Sequence, residues 1–246
     1  FILLGVAVVS ALMFICLPVE KKGSVQLETK TEKTSALQNF FQTFVLMKEK
    51  QMLIFIPLLV YSGLEQGYIY GDFTANFIAS SIGAENIGFV MTFFGIFDVL
   101  ACLALGKVSD IFGNTPLVII GFGSHFIVNL GYFLITILVD DWVLFLKDHS
   151  YLLYIGVSIY SVGDAVYNTL PSIFMSKFFT ENTEAAFSNL KFWQSFGFLI
   201  PFIWSSFLND VKIKIVILLV VLVIQLICIL ISDCSIAPID GKKSSP

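Results

Sequence analysis

Two long apolar runs, residues 87–105 and 116–139, are joined by the short polar segment 106–114. Each run is long enough to cross a bilayer, because a membrane-spanning helix needs about 20 apolar residues. The joining segment is too short to form a soluble domain of its own. The pattern therefore predicts two neighbouring transmembrane helices connected by a tight, charged turn at a membrane surface.

Composition extends this prediction to the whole chain. Of the 246 residues, 57% are hydrophobic and 13% are charged, whereas a soluble domain carries roughly 25% charged residues. Lipid admits only α-helices or closed β-barrels, and the strands of a barrel alternate apolar with polar residues. The apolar runs of this chain are continuous, so we expect an all-α membrane protein in contact with the lipid bilayer.

Seven apolar segments are long enough to be spans. We predict them at 1–19, 52–79, 87–105, 116–139, 151–175, 189–208 and 213–232. The first begins at Phe1 inside an apolar run, so we interpret it as the end of a helix and expect the chain to lack its N-terminal half. The predicted parts are a helix end (1–19), a cytoplasmic linker (20–51), a six-helix transmembrane bundle (52–232) and a cytoplasmic tail (233–246).

Lysine distribution predicts the orientation, because cytoplasmic loops carry an excess of Lys and Arg. The linker 20–51 and the tail are rich in lysine, and Lys107 lies in the segment 106–114. These parts are expected inside, and the acidic loop 140–148 outside. Lys212 and Lys214 disagree, because the same alternation places them outside.

The linker is expected to contain an amphipathic helix near 35–50. Ser35 and Gln38 have the spacing of a helix capping box, and apolar side chains such as Phe41 and Phe44 recur at helical spacing. Two interpretations remain open. The helix either lies in the membrane interface or extends the next span.

The second predicted span is unusually long and contains Gly63, Gly67 and Gly71 together with Glu65 and Asp72. Transporters build midplane sites from helices broken in this way. The alternative is an ordinary helix that ends near Gly71 and is followed by a short re-entrant cap.

Three carboxyl groups, those of Glu65, Asp98 and Asp164, are predicted deep inside spans. An ionised carboxylate at that depth costs roughly 2.5–3.5 kcal/mol on insertion scales, so each must be protonated, face water or be partnered. His125 and Asn129 lie one helical turn apart in the fourth span. They are expected either to relay protons or to hydrogen-bond between helices.

The segment 106–114 resembles the cytoplasmic loop motif of the major facilitator superfamily through Gly106, Asp110 and Gly113. A carboxylate at such a turn can accept N–H bonds from a neighbouring helix start, so we predict that Asp110 acts as a conformational latch. The chain departs from the motif at Ile111, Asn114 and Thr115, because the superfamily has basic residues after the carboxylate and after the second glycine. This departure weakens the case for active transport.

Two further stretches, 163–169 and 184–198, resemble the Unc-93-like branch of that superfamily. The resemblance runs from about Met52 to Ile231. It implies a major-facilitator-type six-helix bundle, the C-terminal half of a twelve-span protein, preceded by one further transmembrane helix. It also implies a regulatory or trafficking role, because members of this branch act on potassium channels or escort receptors.

We therefore expect a regulatory or trafficking subunit of another integral membrane protein, with a potassium channel as the partner. The alternative is a proton- or cation-coupled secondary transporter of an unknown small solute. No hydrolase or metalloprotease motif and no phosphate-binding loop occurs in the sequence, so we expect no enzyme, cofactor or metal.

A net charge of −4 gives no indication of a nucleic-acid partner. The expected location is the plasma membrane, with an endomembrane as the alternative.

Overall fold

The protein is an all-α membrane protein. Its structure, a computed structural model, describes residues 36–235. The predicted helix end at 1–19, the first part of the linker with Ser35, and the end of the tail lie outside the described residues. Within the described range the backbone forms helices and short turns, without strands.

Eight helices follow one another along the described range. They are α1 (Ala36–Leu46), α2 (Lys50–Gly67, continuing to Ile82), α3 (Ile87–Phe112), α4 (Thr115–Leu138), α5 (Trp142–Asp148), α6 (Tyr151–Phe178), α7 (Thr183–Trp204) and α8 (Val211–Ser235). The six long helices overlap the predicted segments of the bundle, although α3 extends to Phe112 and α7 begins at Thr183. Four of these helical stretches, Lys50–Ile82, Ala84–Phe112, Thr115–Leu138 and Val211–Ser232, are long and apolar enough to cross a membrane. Helices α6 and α7 are also long but more polar.

The long helices pack in a regular pattern. Helix α2 packs against α7, α3 against α6, and α4 against α8, while α6 also contacts α4 and α8 also contacts α2. The interior is filled with large side chains such as Phe55, Tyr61 and Tyr167. Many other apolar side chains, including Leu103 and Ile155, are exposed on the outside of the bundle, as expected where lipid is the solvent.

Helices α2 and α7 approach each other at three glycines, Gly63, Gly67 and Gly197. A Cβ atom on Gly63 would collide with the main chain of Gln194, and one on Gly197 with the main chain of Val60. Small residues four apart allow this close backbone approach in membranes. The prediction that these glycines break the helix is therefore wrong, and so is the alternative of an end near Gly71, because the helix is continuous from Lys50 to Ile82.

The part of α2 from Tyr68 to Ala79 is π-helical. This conformation is rare in proteins, and where it occurs it is often at a functional site. Seven residues separate Glu65 from Asp72, and in a regular α-helix that spacing places both side chains on one face. The wider π-helical turns change the register. Glu65 consequently faces α4 and α6, whereas Asp72 contacts the end of α7 and Lys214 of α8.

The turn predicted over 106–114 is much shorter in the structure. Helix α3 continues to Phe112, and Gly113 ends it with a φ of 75°. Glycine is favoured there because this left-handed conformation strains residues that have a Cβ atom. The Gly113 N–H donates to the Ser109 carbonyl over 2.9 Å, and α4 begins at Thr115 with Pro116 in its first turn.

The amphipathic helix predicted near 35–50 corresponds to α1. A turn over 47–49 separates it from α2, so it is not an extension of the next span. Leu46 is buried, while Phe41 and Val45 are exposed. Helix α1 packs against α7, where the Asn189 side-chain amide donates to the Thr43 carbonyl over 2.9 Å. Its predicted place in the membrane interface stays a prediction.

Candidate functional site

The middle of the bundle contains a buried carboxyl group, that of Glu65. This residue lies near the middle of α2 and has no exposed surface. Neither of its carboxyl oxygens has a hydrogen-bond partner among residues 36–235. The Asp164 carboxyl group, on α6, lies beside it. The two acids predicted separately in the second and fifth spans therefore form one carboxyl pair.

Asp164 is held by two amide side chains. The Asn168 amide donates to Oδ2 over 2.9 Å, and the Gln66 amide reaches Oδ1 over 3.4 Å. Gln66 also donates to the Asn168 side-chain oxygen over 2.7 Å. Because amide N–H groups stabilise the ionised form of a carboxyl group, this network favours Asp164 as the charged member of the pair. Asn168 is exposed and Gln66 is half-buried, so the network opens onto the side of the bundle.

His125 lies on the other side of Glu65 and joins three helices. Its Nε2 lies 3.0 Å from the Tyr160 carbonyl oxygen, and its Nδ1 lies 2.9 Å from the Tyr61 hydroxyl. A carbonyl oxygen only accepts, so Nε2 carries a hydrogen. Because complete burial disfavours a charged ring, Nδ1 is left to accept from the Tyr61 hydroxyl. Both contacts are satisfied by a neutral ring. The 3.9 Å separation from the Glu65 carboxyl group is therefore proximity, and we do not count it as an ion pair.

Asn129 makes its hydrogen bond within its own helix in the described part of the chain. Its amide donates over 2.8 Å to the carbonyl oxygen of His125, four residues earlier on α4. Of the two predicted partners, His125 makes the contacts between helices and Asn129 bonds within its own helix. Gly163 on α6 leaves the space that the His125 ring occupies, since a Cβ atom there would meet the ring. The proton-relay role stays a prediction.

Asp98 is the third predicted acid. It lies near the middle of α3, is partly exposed, and accepts a long contact of 3.9 Å from the Cys102 thiol. Asp98 is close enough to Asp164 for their charges to interact. The acids of α2, α3 and α6 thus converge on one open side of the bundle. Within the described residues, no cluster of three His, Cys, Asp or Glu side chains has the arrangement of a metal site.

A second polar cluster was not predicted as a unit. The Asp72 carboxylate pairs with the Lys214 ammonium group and accepts hydrogen bonds from Trp204 Nε1, over 2.5 Å, and from the Ser205 hydroxyl, over 2.9 Å. Asp72 and Lys214 are 3% and 4% exposed, which identifies Lys214 as a buried partner of Asp72. Lys214 is therefore a weak guide to the orientation of the chain in the membrane. The sequence feature that could have indicated its burial is its position inside an apolar run.

The residues of the loop motif lie apart from both clusters. Gly106 is inside α3, Gly113 forms the turn, and Asp110 is exposed on the last turns of α3. Asp110 makes no side-chain hydrogen bond to the part of the chain that the structure describes. The latch function stays a prediction.

Apolar helices, a buried polar interior and an exposed apolar surface together define a multi-pass integral membrane protein. A family model described as "Ion channel regulatory protein UNC-93" matches residues 1–230. The chain belongs to this UNC-93 family. The family description names channel regulation and no catalytic activity. No solved structure matches the chain.

Several named relatives agree with this family. The chain is 32% identical to protein unc-93 homolog A of Danio rerio over 191 residues, 76% of this chain and 38% of the relative. It is 30% identical to protein unc-93 homolog A of Homo sapiens over 228 residues, 92% of this chain and 48% of the relative. A Caenorhabditis elegans protein named as a candidate potassium channel regulatory protein, unc-93, is 31% identical over 153 residues, 62% of this chain and 21% of the relative. The chain spans less than half the length of these relatives.

Proposed function

We propose that the protein is a regulatory or trafficking subunit of a potassium channel in the plasma membrane. The observation that carries this proposal is the family match over residues 1–230. The name of the Caenorhabditis elegans relative, which refers to regulation of a potassium channel, supports the choice of partner.

The open polar side of the bundle gives such a partner a place to bind. Asp98 is partly exposed, Asn168 is exposed, and both lie near the middle of long helices. Charged and amide side chains are costly in contact with lipid. They require water or polar groups of a neighbouring protein, and a membrane-spanning segment of a channel can supply such groups.

We also propose that α2–α4 and α6–α8 are two three-helix repeats of a major-facilitator-type bundle. The packing pattern supports this, because the first helix of each set packs on the second of the other (α2 with α7, α6 with α3) and the third helices pack together (α4 with α8). A two-fold axis between inverted repeats generates such pairing.

Co-expression with a panel of potassium channels tests the proposed function. The unaltered full chain should change the current or the surface amount of at least one channel. Asp98→Leu combined with Asn168→Leu should abolish that effect, because the polar side is lost. Leu103→Ala combined with Ile155→Ala, on exposed apolar surface, is the matched control and should retain it. If the unaltered chain leaves every channel unchanged, the proposal is wrong.

The convergence of Glu65, Asp98 and Asp164 favours a second candidate, a proton- or cation-coupled secondary transporter of a small solute. Neutral variants of the same acids can distinguish it. Uptake of a solute into vesicles that contain the purified protein, lost in Asp98→Asn and Asp164→Asn at equal protein amounts, would favour transport over channel regulation.

A further inference from the structure

A polar stripe runs along the C-terminal half of α6. Asp164, Asn168, Ser172 and Ser176 follow one another at four-residue intervals, which places them on successive turns of one helix face. Lys177 ends the stripe. Asn168 and Ser176 are exposed and Ser172 is partly exposed. Asn168, Ser172 and Ser176 line an open cleft of about 590 Å³ on the surface of α6, together with Thr169, Ile173 and Lys177 of the same helix.

The stripe begins at the carboxyl pair. Asp164 is 2% exposed, and Glu65 behind it has no exposed surface. The cleft ends at Asn168, whose side-chain amide donates to Asp164. Beside Asp164, the two carboxyl oxygens of Glu65 accept no hydrogen bond from residues 36–235. Burying a polar group without hydrogen-bond partners costs free energy. The burial of Glu65 therefore needs a physical explanation.

Among the residues that the structure describes, the groups around Glu65 supply no positive charge. The titratable neighbours are Tyr61 and Tyr70 on α2, Asp98 on α3, His125 on α4, and Tyr160, Asp164 and Tyr167 on α6. His125 is completely buried, which disfavours its charged form, and Lys214 of α8 is paired with Asp72. Helix α7 packs on α2 through Gly197, Phe198 and Pro201, none of which titrates.

Like charges at one buried site repel strongly, so two adjacent carboxyl groups without a cation are both ionised only at raised pH. A proton on one of them removes the repulsion. Amide donors occupy Asp164, so the proton belongs on Glu65. A metal ion fits less well, because two of the oxygens it would need already accept N–H groups.

We propose that Glu65 and Asp164 form a proton-binding site, and that the stripe on α6 connects this site to water at the Lys177 end of the cleft. On release, the O–H bond of the Glu65 carboxyl group breaks and the proton passes to a water molecule, which becomes hydronium. The charge of the pair changes from −1 to −2. Uptake is the reverse, and no other reactant is needed.

Infrared spectroscopy of the purified full chain tests the proton site directly. A protonated carboxyl group has a C=O stretching band separate from that of a carboxylate. We expect such a band in the unaltered protein, to disappear on raising the pH and to shift in D₂O. Glu65→Gln should remove the band, and Asp164→Asn should change the pH at which the band disappears. Glu181→Gln, at an exposed position, is the matched control and should leave the band unchanged.

Cysteine labelling tests the connection to water. In a background with the native cysteines replaced, Ser172→Cys and Ser176→Cys should react with a charged, water-soluble thiol reagent. Ile155→Cys, exposed on the same helix but on apolar surface, is the control and should not react. Failure of both stripe positions to react, with normal folding on size-exclusion chromatography, contradicts the proposed path.

Absence of a titrating carboxyl band in the unaltered protein overturns the proton site, and this measurement needs no substitution that could disturb folding. Persistence of the band in Glu65→Gln overturns it as well. These results are independent of the channel proposal, since a protein that changes no potassium current can still show the band, and one that changes a current can lack it.

Discussion

At the scale of single residues, the best-defined polar contact is the buried pair of Asp72 and Lys214. Trp204 and Ser205 provide the remaining hydrogen bonds of the carboxylate. A buried ion pair adds little net stability compared with an apolar pair, but loss of one partner leaves an uncompensated charge and costs about 3–5 kcal/mol. Lys214 therefore fixes the start of α8 to α2 and α7.

Lys214→Met should lower the thermal stability of the protein strongly, because Asp72 would keep a buried charge without a counter-ion. Lys212→Met is the control, since Lys212 is exposed two residues earlier, and it should have little effect. Adding Asp72→Asn to Lys214→Met should recover part of the loss. Thermal unfolding in detergent, followed by size-exclusion chromatography, measures these differences. Equal effects of the two lysine substitutions would contradict the assignment.

The sequence indicated which polar residues are unusual but not how they pair. Glu65, Asp98, Asp164 and His125 could be selected by their depth in apolar runs. Their contacts depend on which helices are neighbours, and that information is not local. Lys214 was assigned to a loop because it lies near the predicted end of a span. Its pairing with Asp72 also depends on the π-helical register of α2, which no local pattern predicted.

At the scale of helices, the close crossing of α2 and α7 depends on glycine. Main-chain atoms of each helix occupy the space where the other would place a Cβ atom. Bulky side chains at such a contact force the helices apart, and overpacking costs typically about 1–3 kcal/mol or more.

Gly197→Leu should therefore reduce the yield of monodisperse protein and lower its thermal stability. Gly95→Leu is the matched control, because Gly95 lies in the middle of α3 with no other atom within 4 Å of the place that a Cβ atom would take. Fluorescence-detected size-exclusion chromatography compares the two variants. If both variants behave like the unaltered protein, α2 and α7 do not approach each other closely at Gly197.

Helix positions followed from apolar run lengths, and the described helices agree with the predicted spans to within a few residues at most ends. The predictions that were wrong concern sequence features compatible with two different structures. Glycine permits both a break and a close contact, and Gly63 and Gly67 do the latter. The polar segment 106–114 appeared to be a loop, although most of it continues α3.

At the scale of the whole molecule, the distribution of lysines predicts that the turn at Gly113 faces the cytoplasm. Lys214 disagreed with this orientation as a predicted external residue, but it is buried and paired with Asp72, so it is weak evidence against the orientation. A membrane-impermeant amine reagent added outside intact cells should leave Lys107 unmodified, and the same reagent should modify it after permeabilisation. Lys147 in the predicted external loop is the control and should react in both cases. Modification of Lys107 from outside would invert the predicted topology.

One continuous helix carries both polar clusters, since Glu65 and Asp72 belong to the same 33-residue stretch from Lys50 to Ile82. The 18 α-helical residues from Lys50 to Gly67 alone span about 27 Å at ~1.5 Å per residue, and the segment from Tyr68 to Ile82 extends the helix beyond a hydrocarbon core of about 30 Å. It must lean or project from the bilayer, and thinning of the membrane would increase its inclination. Because one helix carries both clusters, we expect a change in its tilt to displace the carboxyl pair and the Asp72–Lys214 pair together.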